Sequence, residues 1–261
     1  MNVQALNPFG SRITANNMKI SNLQFENFED HLRRDKLLLI RGLAATTRDE
    51  FVLFCNRIPQ MSILSWSFGP VMEMKESQDP QNYLFSRERV PFHWDGAFYQ
   101  VPDILVFYCV EAPTEGAGGE TLFTSTEKIL AEAAENELKL WRKAELKYTT
   151  EKQAHYGGSF QGPLIQRHPG SKQNILRFAE AVSTNLNPVS LEVLGLKESQ
   201  STRLIDGLTQ KIYDSKYCYR HTWQAGDFLF VDNHSLIHGR TAFEKKCPRH
   251  LRRIQLLRER N

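Results

Sequence analysis

No part of this 261-residue chain carries an apolar run near the ~18–20 residues that a membrane-spanning helix needs, so no membrane function is expected. Charge of one sign is not in excess. The 33 Lys and Arg stand against 30 Asp and Glu, and a net charge of +3 is too balanced to imply a nucleic-acid partner. Cysteine is sparse. Cys55, Cys109, Cys218 and Cys247 are scattered without a C-x-x-C pair, which excludes a zinc ribbon or disulfide framework and favours reduced, mostly buried thiols. The opening Met1-Asn2-Val3-Gln4 has no charged segment leading into an apolar one, so a cytoplasmic enzyme or binding protein is expected. A Gly-rich phosphate cradle is also missing, because Gly116 to Gly119 precede a strand-like stretch rather than a helix. Internal repeats and low-complexity segments are absent. One domain spanning residues 1–261, long enough to bury a sizeable core, is the expected organisation, with homo-oligomerisation left open.

What is present is a succession of short strand-like stretches. Lys36 to Gly42 is a continuous apolar run closed by glycine and reads as a buried strand. Ile104 to Val110, Glu120 to Phe123, Asn174 to Glu180, His221 to Trp223, Phe228 to Asp232 and Leu251 to Leu257 read likewise, and Met61 to Met74 as strand with loops. The basic segment from Arg249 to Arg260 alternates with apolar residues, which marks a strand rather than a tail. Residues 1–17 are polar and turn-rich, a lead-in or a first edge strand. Helical spacing occurs at Phe25 to Arg33, and Phe51, Phe54 and Ile58 form a helical stripe behind a Thr47/Glu50 capping box. The periodicity also predicts a helix over 124–143, capped by Thr124 and Glu127, and another over 190–213 interrupted by Gly195 and Gly207. Residues 75–90 and 148–173 read as loops, with 75–90 and 150–173 candidate lids over a site. Strands in both halves with helices outside them fit a mainly β fold with flanking helices, an antiparallel jelly roll.

The chemistry centres on Pro91-Phe92-His93-Trp94-Asp95-Gly96. In a strand, residues two apart share a face, so His93 and Asp95 would point the same way. A third ligand from another strand, with His238 the candidate, would complete a 2-His-1-carboxylate triad, the usual ligand set of non-haem iron oxygenases. A lone H-x-D is weak, and His155, His168, His221, His234 and His250 compete for the third place. His234 is the most serious rival, four residues from His238 in one segment. Arg249 and Arg253, four apart, would share a strand face, and arginine matches a carboxylate bidentately. Thr121 places a hydroxyl just after the Gly118-Gly119 turn. Each has a bland alternative: the arginines as surface charges on an edge strand, Thr121 as an ordinary strand residue. Phe98 and Tyr99 either line an aromatic pocket or pack in the core.

Taken together and in order, these blocks resemble the taurine/2,4-D dioxygenase-like family of Fe(II)- and 2-oxoglutarate-dependent oxygenases. The resemblance covers most of the chain. It runs through Arg34 to Gly42, His93-Trp94-Asp95, Gly118-Gly119-Glu120-Thr121, Trp223 to His238 and Arg249 to Arg253. It implies a double-stranded β-helix, with His93, Asp95 and His238 as iron ligands. His238 is preferred over His234 because the family histidine sits a few residues past the Asp-Asn pair and is followed by a small residue. Thr121 and Arg249 would hold the distal carboxylate of 2-oxoglutarate. Arg253 would face the other end of that co-substrate or an acidic substrate.

The resemblance further implies that O2 and 2-oxoglutarate are consumed, with decarboxylation to succinate coupled to hydrogen abstraction from a small-molecule substrate. Halogenases of this class replace the carboxylate ligand by a small residue, so Asp95 points to hydroxylation or desaturation. The string Asp232 to Arg240 with Arg249 to Ile254 looks like the branch that acts on isonitrile derivatives of tyrosine or tryptophan and gives vinyl isonitriles. The alternative is a hydroxylase of an amino acid or sulfonate in the same family. A zinc-dependent jelly-roll hydrolase would use the same three ligands but has no need for a Thr121/Arg249 clamp. A non-catalytic binding domain would have no need for the triad.

Overall fold

The computed structural model describes residues 3–65, 69–151, 157–244 and 247–259. In chain order these form β1 (Val3–Ala5), β2 (Ser11–Met18), α1 (Glu29–Asp35), β3 (Leu37–Leu43), α2 (Arg48–Asn56), β4 (Met61–Ile63), β5 (Met72–Met74), β6 (Val90–His93), β7 (Ile104–Glu111) and β8 (Thr121–Ser125). There follow α3 (Thr126–Ala131), α4 (Glu135–Trp141), β9 (Glu145–Thr150), β10 (Gly158–Pro163), β11 (Ile165–Arg167), β12 (Asn174–Leu176), β13 (Ser190–Leu194), α5 (Glu198–Tyr213), β14 (Cys218–His221), β15 (Phe228–Asp232), β16 (Leu236–Arg240) and β17 (His250–Arg258).

Two sheets carry the architecture, with strand orders β1-β2-β3-β15-β7-β17-β4 and β14-β8-β16-β6. The apolar run of β3 is unbroken because the larger sheet is buried on both faces. Leu38 and Ile40, with Phe228 and Phe230 of β15, pack under Leu32 of α1 and Phe51 and Phe54 of α2. Leu37 and Leu39 point the other way, where they meet Phe123 of β8 and Leu236 of β16 on the smaller sheet. The smaller sheet's outer face is covered in turn by Ile129, Trp141, Leu204, Leu208 and Ile212 of α3, α4 and α5. The result is a jelly roll with a helix layer on each side. Among the described residues no helix is long and apolar enough to cross a membrane.

Local signals hold where short-range chemistry decides them. The Thr47/Glu50 capping box forms, with the Glu50 N–H donating to Thr47 Oγ1 at 3.2 Å and the Thr47 N–H to Glu50 Oε2 at 2.8 Å. Of the two readings of residues 1–17, the strand is the one formed, as β1 and β2.

Three expectations are corrected. The helix over 124–143 does not start at Thr124, which lies in β8 paired with Cys218 and Ile237 and donates its hydroxyl to Ile212 O at 2.6 Å. Ser125 caps instead, accepting from the Lys128 N–H, and the helix breaks into α3 and α4. The helix over 190–213 begins only at Glu198, because Ser190–Leu194 pairs with β9 as a strand. Gly195 makes the turn with φ +79°, and a Cβ there would sit 2.7 Å from Lys143 O. The stretch 148–173, of which residues 152–156 lie outside the described ones, holds the end of β9 together with β10 and β11; Gly157 precedes β10, Gly158 and Gly162 lie in it, and Gly170 sits in the turn between β11 and β12. In addition, β14 ends at His221, so Trp223 lies beyond the strand expected for it.

A largely buried ionic group ties β3 to the end of β14 and the turn leading into β15. Arg41 donates through Nε and Nη2 to the two Asp227 oxygens at 2.8 Å each, and His221 Nε2 lies 3.2 Å from Asp227 Oδ2. Burial pushes the His221 pKa below its ordinary 6.5, and the Asp227 charge only partly opposes this. The unfolded ring takes up a proton below about pH 6.5 that the folded ring refuses, so stability falls as pH drops through that range. Burial pushes the Asp227 carboxyl up, but His221 and Arg41 outweigh it and hold it below 3.8, which adds a further loss at still lower pH. The thermal midpoint is therefore expected to be level above about pH 7 and to decline below it. His221→Gln should make the upper part of that decline shallower; an unchanged profile would assign the effect to other groups.

Candidate metal centre

β6 and β16 are neighbours in the smaller sheet, and their register sets His93 directly opposite His238. The two rings lie 4.3 Å apart between centroids. Glu180 secures the outer edge of β6 just before His93. Its N–H donates to Phe92 O at 2.9 Å and its Oε2 accepts from the Phe92 N–H at 2.8 Å. His93 Nδ1 lies 2.8 Å from Pro91 O, so this nitrogen carries the proton and Nε2 keeps its lone pair. His238 is 5% exposed and packs between Phe107 and Phe123, each with ring centroids 6.2 Å away.

Asp95 does not share a strand with His93, as the spacing suggested. β6 ends at His93 and the chain turns. Gly96 adopts φ +84° there, and a Cβ would stand 2.1 Å from Gln100 O, so only glycine closes this turn. The turn brings Asp95 Oδ1 to 3.6 Å from His93 Nε2 and 3.8 Å from His238 Nε2. Two donors each ~2.1 Å from one ion stand at most ~4.2 Å apart, and both separations lie inside that bound. The other oxygen is engaged from β17: Arg253 Nη1 is 2.7 Å and Gln255 Nε2 2.6 Å from Asp95 Oδ2. Burial pushes the Asp95 carboxyl up, but the Arg253 charge and the two histidines hold it well below the usual carboxylate range. Burial keeps His238 well below its ordinary 6.5, and the Asp95 charge opposes this only in part. A metal requires an ionised carboxylate and imidazole nitrogens with free lone pairs, and His93, Asp95 and His238 form the metal-holding group found among the described residues.

The competing histidines are occupied. His234 Nδ1 accepts from Arg177 Nη2 while its Nε2 lies 3.1 Å from Asp103 Oδ1. His168 bonds Asp232, His221 contacts Asp227, and His250 pairs with Glu73. His155 lies outside the described residues.

Thr121 and Arg249 meet between the sheets, with Arg249 Nη2 3.5 Å from Thr121 Oγ1. Arg249 is 5% exposed and donates Nε to Gly119 O at 3.0 Å. Among the described residues no carboxylate pairs with it, and burial lowers its pKa to about 10. A buried guanidinium without a counter-ion suits an anionic ligand. Trp223, which sequence spacing did not single out, donates Nε1 to Thr121 Oγ1 at 2.9 Å. That bond occupies the hydroxyl as an acceptor and leaves its proton for another acceptor.

Beside the triad opens a largely apolar pocket whose walls include Phe98, Tyr99, Met72, Val182 and Val189 together with His93 and Asp95. Tyr83, Leu84 and Phe85, from the loop expected over 75–90, form part of the wall. Arg253 reaches the same pocket while holding Asp95. Tyr99 is 70% exposed at the rim. Trp94 packs against Tyr148 and Phe160 with the Arg177 guanidinium over its ring, and Tyr108 is core, its hydroxyl accepting from the Thr46 N–H. Gln255 was also missed; its signal was the two-residue spacing from Arg253, which places both on one face of β17.

The model of the Taurine catabolism dioxygenase TauD, TfdA family matches residues 2–255. The chain belongs to this family. Among relatives within it is a 3-((Z)-2-isocyanoethenyl)-1H-indole synthase of Fischerella ambigua, 39% identical over 98% of this chain and 95% of that protein. A tyrosine isonitrile desaturase of Pseudomonas aeruginosa is 34% identical over 92% of this chain and 83% of that one. A solved structure of PvcB, described as an Fe, alpha-ketoglutarate dependent oxygenase from an isonitrile synthetic pathway, superposes with a TM-score of 0.78 at 32% identity, over 96% of this chain and 89% of that chain. The jelly roll and the family are thus those that the sequence blocks implied.

Proposed function

We propose that the chain is a single-domain Fe(II)- and 2-oxoglutarate-dependent oxygenase of the cytoplasm that oxidises an isonitrile derivative of tyrosine or tryptophan to a vinyl isonitrile. The observation that carries this is the pairing of a converged His93/Asp95/His238 triad with a buried arginine that has no carboxylate partner among the described residues. A zinc hydrolase accounts for the triad but not for Arg249.

When bound, iron with 2-oxoglutarate and O2 supplies a two-electron oxidation: one oxygen atom ends in succinate, CO2 is released, and the other oxygen leaves as water with hydrogen taken from the substrate. The protein supplies position and charge. Asp95 contributes one negative charge through Oδ1, with Oδ2 held away by Arg253 and Gln255. His93 and His238 offer Nε2 lone pairs. Arg249 and the Thr121 hydroxyl hold the distal carboxylate of 2-oxoglutarate. Phe98 and the apolar wall take the aromatic ring of the substrate and keep water out. The product is a double bond between Cα and Cβ, formed by removal of two hydrogens or of one hydrogen and the carboxyl group as CO2.

The test is anaerobic addition of Fe(II) and 2-oxoglutarate, followed by O2 in the presence of isonitrile acids, free amino acids or sulfonates. A visible charge-transfer band should form before O2, and the isonitriles of tyrosine or tryptophan should stimulate succinate release. Absence of the band would overturn the oxygenase assignment. Stimulation by an amino acid or sulfonate alone would overturn the substrate assignment.

A further inference from the structure

Asn233 is fully buried between β15 and β16 and meets the metal-ligand residue Asp95 through the Asp95 backbone. Its Oδ1 accepts from the Asp95 N–H at 3.0 Å. Its Nδ2 donates to Asp95 O at 3.1 Å and to Pro102 O at 3.0 Å. Its own backbone N–H donates to Asp103 O at 3.1 Å. Asp95 and Pro102 are the two ends of the loop that carries Phe98 and Tyr99 to the pocket. One side chain therefore closes that loop at its base and grips Asp95 on both sides of its Cα.

Rotation about the Asp95 backbone is what would swing its carboxylate off the metal. Fixing the N–H before the Cα and the carbonyl after it removes that freedom, and Arg253 and Gln255 then fix the far oxygen separately. Only a carboxamide offers the acceptor and the two donors this arrangement uses. A carboxylate has no donor, and a hydroxyl has one.

We propose that Asn233 is a positioning residue that aims the Asp95 carboxylate at the metal and, through the same loop, sets Phe98 and Tyr99 against the organic substrate. This rests on the function proposed above. If Asn233 only sealed a loop, its loss would lower stability and leave metal affinity alone. Outer-shell partners that orient ligands change metal affinity by about 10- to 100-fold when lost.

The experiment is titration of Co(II) into the metal-free protein and into Asn233→Asp, which keeps the size but sets a second anionic oxygen against the two carbonyls. Asn233→Ser, smaller and uncharged, carries the same comparison should Asn233→Asp not fold. His234→Ala, one residue on, serves as the control, because it removes a partner of Arg177 and of Asp103, which meet only the Asn233 backbone, and leaves the Asn233 side-chain bonds to Asp95 and Pro102 in place. The expected result is Co(II) binding weakened about 10- to 100-fold in the Asn233 variants and close to parental in His234→Ala. With Fe(II) saturating and each co-substrate varied in turn, the KM for the organic substrate should rise several-fold in the Asn233 variants while that for 2-oxoglutarate stays put. Co(II) affinity within threefold of the parent in a folded Asn233 variant would overturn the proposal. Failure of the parent itself to bind Co(II) would instead overturn the proposed function.

Discussion

Replacing His238 by alanine is expected to abolish divalent-metal binding, while replacing His234 by alanine leaves it within a few-fold of the parent. Both are buried histidines of one segment, four residues apart, and residue type cannot separate them. Their partners do. Both His234 nitrogens are committed, one to Arg177 and one to Asp103. His238 turns Nε2 toward Asp95 Oδ1 across from His93. Removing one of three ligands should cost more than the 10- to 100-fold of an outer-shell change. The stability effects should run the opposite way. His234→Ala leaves the Arg177 guanidinium and the Asp103 carboxylate each short of a partner, a loss of about 1–3 kcal/mol. His238→Ala removes a ring whose Nδ1 has no hydrogen-bond partner among the described residues, so the metal-free protein should lose chiefly packing. Isothermal titration with Co(II) and thermal melts of both variants check the pair. Metal binding retained by His238→Ala and lost by His234→Ala would reverse the ligand assignment.

Arg249→Ala should raise the KM for 2-oxoglutarate by at least about 30-fold while leaving Co(II) affinity close to parental. A buried charge pair that loses one partner costs about 2–5 kcal/mol, and each 1.4 kcal/mol is tenfold. The metal-free protein should tolerate the change well. Among the described residues Arg249 has no carboxylate to abandon, and its bonds to Gly119 O and Thr121 Oγ1 go to neutral groups. The sharpest readout is therefore the shift in thermal midpoint that 2-oxoglutarate and Co(II) together produce, because a ligand that binds only the folded state raises stability with its concentration over Kd. That shift should vanish in Arg249→Ala. Should it persist at the parental size, the carboxylate is held elsewhere and Arg249 is only a buried structural cation.

Much of this is legible in the sequence. The β3 and β15 stretches are long unbroken apolar runs, and such runs reflect burial on both faces wherever they sit. The Thr47/Glu50 cap formed because its four atoms lie within one turn of chain. The H-x-D stretch, Thr121, Arg249 and Arg253 were marked by type and order. The failures share a cause. Thr124 reads as a cap but is drawn into β8, and Ser190–Leu194 reads as helix but pairs with β9. In both, a strand arriving from elsewhere outcompetes the local preference, which amounts to less than ~1 kcal/mol per residue.

The sequence by itself determined the family, the fold class and the residue types of the site, because these depend on short patterns and their order along the chain. Only the tertiary structure decided which histidine keeps a free lone pair, that Asp95 reaches the centre by a turn rather than along a strand, and that Arg253, Gln255 and Asn233 hold it there. Those contacts join positions 138 to 160 residues apart in the chain. Whether a buried polar atom has a partner is settled by strand register between distant segments, and a linear pattern does not carry that information.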